Sequence, residues 1–186
     1  MNRWCNGKIA IALAAGSLAT VSLAADDART LTITSSAFTE HGSIPVEYTC
    51  DGEDASPPLS WSGVPSRTRG LALIVDDPDA PDPAAPRTIW VHWVLYNLPS
   101  DSTGLAAGVA RTALPRGTRE GRNDWHRTGY RGPCPPVGRH RYRFTLYALD
   151  IELPDMDEPS KTQLLKAVQG HVIADATLAG TYRRSR

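Results

Sequence analysis

Four residues able to carry charge or to donate hydrogen bonds occupy strand positions that would otherwise be apolar: Asp77, His92, His140 and Tyr142. Two imidazoles and a hydroxyl opposite a carboxylate could bind a small oxyanion such as phosphate. His92, His140 and Tyr142 would donate hydrogen bonds to the ligand, and Asp77 would accept from it or orient a histidine. The alternative is a mononuclear metal-dependent enzyme in which His92, His140 and Asp77 form a facial triad for non-haem iron. The residue types alone leave both hypotheses open.

A hydrolytic site would also need a nucleophile, and the sequence offers no good candidate. Ser56 and Ser60 lie in no nucleophile-elbow motif, and Cys134 stands between two prolines with no base beside it. Signatures of zinc proteases, phosphate-cradling loops and dinucleotide-binding turns are missing from the sequence. We therefore predict no catalytic residue and no cofactor, and we expect a binding protein and not an enzyme.

Alternation along three predicted strands brings the four residues together, because residues two apart share one face of a strand. Asp77 ends an apolar row, and His140 and Tyr142 open another. The predicted row of the middle strand consists of Trp90, His92, Val94 and Tyr96. Loops rich in Pro and Gly bound these strands, and loops at the end of a rigid scaffold commonly bind ligands. We therefore expect the site at the loop end of the sheet.

The chain as a whole is predicted to be a turn-rich β protein. It has 15 Gly and 15 Pro among 186 residues, and short strands alternate with clusters of Pro, Gly and Asp. Only in the C-terminal part do apolar residues recur at helical spacing. Ser160 is a candidate N-cap with Gln163 three residues later. The apolar positions continue as far as Ile173, and Gly170 is expected to divide the helix into two segments. The pattern predicts one mainly β domain, an antiparallel two-sheet β-sandwich with C-terminal helices.

The net formal charge is zero, with 20 Lys and Arg against 20 Asp and Glu, which argues against a nucleic-acid-binding protein. The charges are nevertheless segregated. Residues 26–86 hold 11 acidic and three basic residues, a net charge of −8, and residues 111–143 hold nine Arg against two acidic residues, a net charge of +7. Two interpretations stay open: solvated surfaces of opposite charge, or an Arg-rich segment that binds carboxylate or phosphate groups or a protein target.

The first 24 residues have the pattern of a secretory signal peptide. Arg3 and Lys8 precede an uncharged apolar run from Ile9 to Leu23, and small residues stand before a cleavage site after Ala24. The run is shorter than the roughly 20 residues that span a bilayer. We therefore predict a signal peptide over 1–24, a domain over 25–186 without a transmembrane anchor after processing, and a periplasmic or secreted location.

The processed chain would retain two cysteines, Cys50 and Cys134. An even number of cysteines in an oxidising compartment makes a disulfide between them possible, although sequence alone does not show that they meet. Two cysteines are too few for a structural zinc site, so we predict no metal centre of that kind.

Five motifs follow one another between about Leu31 and Arg183. They are YTCDG with SPPLSW, DDPDAP, WVHWVLYN, GYRGPCPP and HRYRFTLYALD. In this order they resemble the phosphatidylethanolamine-binding protein family, and in particular its prokaryotic Raf kinase inhibitor-like branch. The resemblance implies a two-sheet antiparallel sandwich with a pocket for a small anionic ligand, either phosphate or a phospholipid head group.

The resemblance also assigns the ligand-binding residues. Carried over residue by residue, the pocket corresponds to Asp77, Pro81, Trp90, His92, Gly132, His140 and Tyr142. It further implies a binding and regulatory protein, with a kinase or protease as a possible protein target, and it leaves a homodimer possible. Two residues depart from similar bacterial sequences: Asp54, where Asn is usual, and His126, where Gly is usual. We interpret His126 as a surface substitution.

Overall fold

A computed structural model describes Met1 and residues 30–185. The predicted cleavage site and nearly all of the predicted signal peptide lie outside the described residues. Within the described part of the chain, no helix has the length and apolar character that crossing a membrane requires.

The described residues form eight strands in two antiparallel sheets. In chain order the strands are β1 (Thr32–Thr34), β2 (Leu59–Ser62), β3 (Gly70–Asp77), β4 (Trp90–Leu98), β5 (Gly104–Leu105), β6 (Arg119–Glu120), β7 (His140–Leu149) and β8 (Val172–Tyr182). Two short 3-10 turns, Val46–Tyr48 and Arg111–Ala113, and one α-helix, α1 (Lys161–Ala167), complete the described elements. The smaller sheet has the order β1-β2-β5 and the larger one β6-β4-β3-β7-β8. The mainly β, two-sheet prediction is confirmed.

The main core lies between the two sheets. It includes Trp61 from β2, Leu73 from β3, Trp93 from β4 and Phe144 from β7, all of which are buried. All eight residues of β3 are buried, because this central strand has strand neighbours on both sides and is covered on both faces. The continuous apolar run that marks β3 in the sequence is therefore typical of its position.

The opposite face of the larger sheet is covered by α1 and the segment before it. Leu164 of α1 is fully buried there against Ile74 and Val94. The predicted N-cap is present: the Ser160 hydroxyl accepts from the Gln163 amide, and the Gln163 side chain accepts from the Ser160 amide. This capping box satisfies backbone N–H groups that an α-helix leaves unpaired at its start.

The second predicted helical segment is wrong, because residues from Val172 onward form the eleven-residue strand β8. Gly170, at φ +83°, follows α1 in the left-handed conformation that favours glycine and lies in the turn that reverses the chain. The ten-residue β7 presents its backbone groups to the next strand, and β8 pairs with it from Leu149 to His140. Pairing along a complete strand therefore overrides the helical spacing of a few apolar residues.

The two oppositely charged segments of the sequence pair with each other in the fold. The ion pairs between them are Arg131–Asp54 (2.7 Å), Arg141–Asp79 (2.6 Å) and Arg143–Asp76 (2.8 Å). Lys161 from α1 also contacts the carboxylate of Asp76. Much of the Arg-rich segment is therefore committed to the protein's own carboxylates, and these three arginines do not line the cavity described below.

Candidate functional site

A cavity of about 310 Å³ lies at the end of the larger sheet where β3 ends and β4 and β7 begin. The lining residues are Asp77, Ala80, Pro81, Trp90, His92, Trp125, Cys134, Pro136 and His140. The polar groups form the buried floor, since Asp77, His92 and His140 are at most 4% exposed. The rest of the lining is apolar and aromatic, and apart from the buried Ala80 these side chains remain partly or largely exposed. Five of the seven residues assigned from the sequence thus line one cavity.

A β-bulge in β4 directs His92 toward this cavity. Val75 pairs with Trp93 and the next residue of β3, Asp76, pairs with Val91, so β4 has one extra residue, His92, at this point. Val91 packs on the helix-covered face, whereas Trp93 packs between the sheets. The predicted row of β4 is therefore only half right. Trp90 and His92 line the cavity, but Val94 and Tyr96 pack on the opposite face.

Asp77 and His140 form a buried pair on the floor. Asp77 Oδ2 lies 2.7 Å from His140 Nδ1, and Asp77 Oδ1 accepts from the Asp79 amide at 2.8 Å. His140 Nε2 lies 2.9 Å from the carbonyl oxygen of Val137. A carboxylate and a carbonyl are both acceptors, so a hydrogen must lie on each side of the ring, and the pair as a whole carries no net charge. His140 therefore has no N–H left for a ligand, which differs from the donor role expected from the sequence.

His92 is the floor residue with an uncommitted ring nitrogen. Its Nδ1 lies 2.6 Å from the carbonyl oxygen of Arg131 and must donate to it. Its Nε2 is buried and has no hydrogen-bond partner among the described residues. Burial lowers the pKa of His92, although the bond to the Arg131 carbonyl and the charge of Asp77 act in the opposite direction. Near neutral pH the ring is therefore uncharged, with its proton on Nδ1 and a lone pair on Nε2.

Tyr142 and Gly132 lie behind the cavity wall and do not line it. The Tyr142 ring contacts His92 with centroids 5.2 Å apart, and its buried hydroxyl has no partner among the described residues. Burial, reinforced by the negative charge of Asp77, raises the pKa of this hydroxyl far above its usual value, so it stays protonated. Gly132 donates its amide to Asp54 at 2.6 Å, and a Cβ at Gly132 would come within 2.5 Å of the Tyr48 carbonyl oxygen. Both residues support the site from behind.

The loop after β3 is held against β7 by one carboxylate. Asp79 Oδ2 accepts from the amide and Nε of Arg141 at 2.8 and 2.9 Å, and Asp79 Oδ1 accepts from Nη2 at 2.6 Å. These hydrogen bonds lower the pKa of Asp79. Ala80 and Pro81 follow Asp79 directly and are joined by a cis peptide bond. The clamp formed by Asp79 and Arg141 therefore fixes these two residues at the cavity rim.

A disulfide closes the other side of the rim. Cys50 and Cys134 are bonded, with their Cα atoms 5.4 Å apart. The Cys50 amide also donates to the carbonyl of Pro133. The segment 133–136 is thereby attached to the loop after the first 3-10 turn, and Pro136 completes the wall.

Comparison with known proteins identifies the family. The family model described as "Phosphatidylethanolamine-binding protein" matches residues 34–183. The chain belongs to this family. A protein of Methanothermobacter thermautotrophicus, named only as a UPF0098 protein, is 54% identical over 149 residues, which cover 80% of this chain and 95% of that one.

Two solved structures are similar over most of the chain. The phosphatidylethanolamine-binding protein homologue CT736 of Chlamydia trachomatis is 42% identical, with a TM-score of 0.78 over 84% of this chain and 99% of that one. YbcL of E. coli, described as a member of the mammalian family, is 32% identical, with a TM-score of 0.75 over 83% of this chain and 99% of that one. The matches establish the fold as that of the phosphatidylethanolamine-binding proteins.

Trp125 is a cavity residue of this family member that sequence reasoning missed. Its ring lies 5.4 Å from that of Trp90 and 5.1 Å from that of His92, in edge-to-face orientations in both cases. The Arg131 guanidinium lies 5.9 Å from its centroid on a face of the ring. The sequence feature that could have identified Trp125 is a large aromatic residue between polar neighbours in a loop.

The two departures noted in the sequence have different roles in the structure. Asp54 accepts from Arg131 Nη1 at 2.7 Å and from the Gly132 amide, so its carboxylate positions the loop behind His92. His126 is exposed and does not line the cavity. The interpretation of His126 as a surface residue agrees with this position.

The metal triad considered from the sequence is not formed. Both ring nitrogens of His140 and both oxygens of Asp77 are engaged within the protein, and Nδ1 of His92 bonds to a carbonyl. Among the ring nitrogens of the two histidines, only Nε2 of His92 has no partner. In residues 30–185, moreover, His, Cys, Asp and Glu side chains form no group of three or more that could hold a metal ion. The described residues therefore give no support for the triad of His92, His140 and Asp77.

Proposed function

We propose that the protein is an exported, non-enzymatic binder of a small phosphate-bearing ligand, either free phosphate compounds or a phospholipid head group, in the cavity floored by Asp77, His92 and His140. The observation that carries the proposal is the cavity-lining residue His92, whose buried Nε2 has no hydrogen-bond partner among the described residues. A buried polar atom without a partner costs free energy, and a ligand in the cavity would supply the missing hydrogen bond.

Size and lining favour a small ligand. A volume of about 310 Å³ is at the lower end of ligand cavities, so it suits a head group and not a whole lipid. The apolar rim, with Trp90 and Trp125, would exclude water from the polar contacts on the floor, where they gain strength. The phosphate character of the ligand is proposed from family membership, because the family is named for phosphatidylethanolamine.

Export is part of the proposal and rests on two features. The sequence of the first 24 residues has signal-peptide character, and a disulfide joins Cys50 to Cys134, as is common in oxidising compartments. Mass spectrometry of the protein recovered from its native host would test export. An N-terminus at residue 25 supports the proposal, and an intact N-terminus in the cytoplasmic fraction contradicts it.

Ligand binding can be tested with one substitution and a matched control. In His92→Asn the side-chain amide can still donate to the Arg131 carbonyl, as Nδ1 does, but no atom replaces Nε2. Inorganic phosphate and phosphoethanolamine would be titrated while tryptophan fluorescence is recorded, since two tryptophans line the cavity. We expect saturable binding that His92→Asn weakens at least tenfold, and that His171→Asn, which changes a partly exposed histidine paired with Asp150, leaves unchanged. Failure of the native protein to bind, or equal binding by His92→Asn, would refute the proposal.

A further inference from the structure

A second cavity lies beside β6, the edge strand of the larger sheet. Its volume is about 510 Å³, within the range of small-molecule cavities. It is formed between the segment 111–120, which includes β6, and the segment 155–158, which precedes α1. It shares no lining residue with the cavity that contains His92. A ligand in this second cavity would therefore be additional to the phosphate-bearing ligand proposed above.

Glu120 contributes a deeply buried carboxylate to the second cavity. Its side chain lines the cavity and is 5% exposed. Its ion-pair partner among the described residues is Arg111, whose Nε lies 3.5 Å from Glu120 Oε2 and whose side chain is 74% exposed. A charge-assisted hydrogen bond normally measures about 2.7 to 2.9 Å, so this contact is long. Glu120 is therefore a buried anion that its own protein compensates only weakly, an arrangement that costs free energy.

Thr118 is a second lining residue with an unsatisfied polar group. Its hydroxyl is buried and has no hydrogen-bond partner among the described residues. Buried polar groups in folded proteins are usually hydrogen-bonded, and an exception calls for an explanation. Two neighbouring positions on one wall of the cavity, Thr118 and Glu120, are thus left short of partners.

The charges of the lining favour a cation. Four carboxylates and two guanidinium groups line the cavity: Glu120, Asp155, Asp157, Glu158, Arg111 and Arg119. Asp155 and Glu158 each lie 3.2 Å from an arginine side chain, whereas the exposed Asp157 forms no ion pair with a described residue. Solvent screens the exposed Arg111. The negative charge that remains is therefore at the buried Glu120 and the exposed Asp157.

We propose that the second cavity binds a small organic cation, a protonated primary amine whose ammonium group donates hydrogen bonds to the Glu120 carboxylate. An ammonium group has three N–H donors and no acceptor, so it supplies both the charge and the hydrogen bonds that Glu120 lacks. A metal ion fits less well, because His, Cys, Asp and Glu side chains form no group of three or more that could hold one within residues 30–185. Asp157, on the facing segment, adds a longer-range attraction for the same cation.

Two probes of the same shape test the charge requirement in the native protein. 1-Aminobutane and 1-butanol have the same carbon chain, but only the amine is charged at pH 7. Each would be titrated into 15N-labelled protein while the backbone amide signals are followed by NMR. We expect 1-aminobutane to shift the signals of residues 118–120 and 155–158 saturably, and 1-butanol to bind at least tenfold more weakly.

Substitutions locate the binding at Glu120. Glu120→Gln keeps the size of the side chain and removes its charge, so it should weaken amine binding at least tenfold. Asp101→Asn is the matched control, because Asp101 is an exposed carboxylate outside the cavity, and it should leave the affinity unchanged. His92→Asn should also bind the amine normally, so failure of the proposed phosphate site and failure of this one are distinguishable.

Asp157→Asn, at an exposed position, gives a second test if Glu120→Gln does not fold. It should weaken amine binding roughly two- to fivefold, as the loss of an exposed charge interaction does. The proposal is overturned if these amide signals do not shift at tens of millimolar amine, or if the alcohol binds as well as the amine. Unchanged affinity in folded Glu120→Gln, or in Asp157→Asn where Glu120→Gln does not fold, overturns it as well.

Discussion

Replacement of Asp79 by Asn should test whether the clamp on the cavity loop is electrostatic. In the native protein this carboxylate accepts three hydrogen bonds from Arg141 and its side chain is 6% exposed, while the Arg141 side chain is 61% exposed. Asn can keep the two bonds made to Oδ2, but it loses the charge and places an N–H₂ group opposite Nη2. Bonds to charged groups contribute roughly 1.5 to 3 kcal/mol each, and solvent at the exposed guanidinium reduces the effect. We expect Asp79→Asn to lower the free energy of unfolding by about 2 kcal/mol at pH 7.

The pH dependence of this loss has a definite sign. The pKa of Asp79 is lowered in the folded state by the Arg141 bonds, so its contribution is fully present above the unfolded-state value of about 3.9 and disappears as the pH falls through the folded-state value. The difference between native protein and Asp79→Asn should therefore be constant from pH 7 down to about pH 5 and shrink below about pH 4.

Urea unfolding with the disulfide intact measures this difference at each pH. Asp82→Asn is a matched control, because Asp82 lies in the same loop but its Oδ1 accepts only from the exposed Ala84 amide, a bond that Asn can also make. This control should change stability by less than about 0.5 kcal/mol. If Asp79→Asn costs the same at pH 3 as at pH 7, the stabilisation does not come from the ionised carboxylate and the reasoning fails.

Two further substitutions test the cavity surroundings. Replacing Cys50 and Cys134 together by Ala should lower the free energy of unfolding by about 4 to 5 kcal/mol on the chain-entropy model. The expected loss is large because the two cysteines are 84 residues apart in the sequence. A loss below about 1 kcal/mol in urea unfolding would contradict that account. Tyr142→Phe removes a buried hydroxyl that has no partner among the described residues, so it should leave stability unchanged or raise it by about 1 kcal/mol; a clear loss of stability would show that the hydroxyl is hydrogen-bonded in the free protein.

The architecture was largely predictable because its strongest signals are local. The apolar run of β3 and the alternation of β7 correctly place Asp77, His140 and Tyr142 at one end of the larger sheet. The start of α1 was predictable from the capping box at Ser160. The conformation of the chain after Gly170 was not predictable in this way. Residues from Val172 onward form a strand because they pair with β7, and the spacing of apolar residues in the sequence does not show that pairing.

The chemistry of the site was less predictable than its residue list. The residue type and strand position of His140 predict a donor to the ligand, but that role depends on where its two ring nitrogens point. The partners of those nitrogens are Asp77 from another strand and a carbonyl three residues earlier. The Arg-rich segment similarly suggested an anion site until the fold paired its arginines with carboxylates such as Asp54 and Asp79. Tertiary partners, not residue types, decide which polar groups remain available.

The bulge at His92 shows how the fold leaves a polar atom of a cavity-lining residue without a partner. Trp93 points between the sheets. If the residues of β4 alternated strictly from there, His92 would lie on the helix-covered face and Val91 would lie in the cavity. The extra residue reverses that phase, so Val91 packs under α1 while His92 and Trp93 both lie on the side of the smaller sheet. The same segment fixes Nδ1 against the Arg131 carbonyl and leaves Nε2 buried without a partner. Bulges of this kind commonly re-aim a side chain at a functional site, and here the re-aimed side chain is that of His92, on which the proposed binding depends.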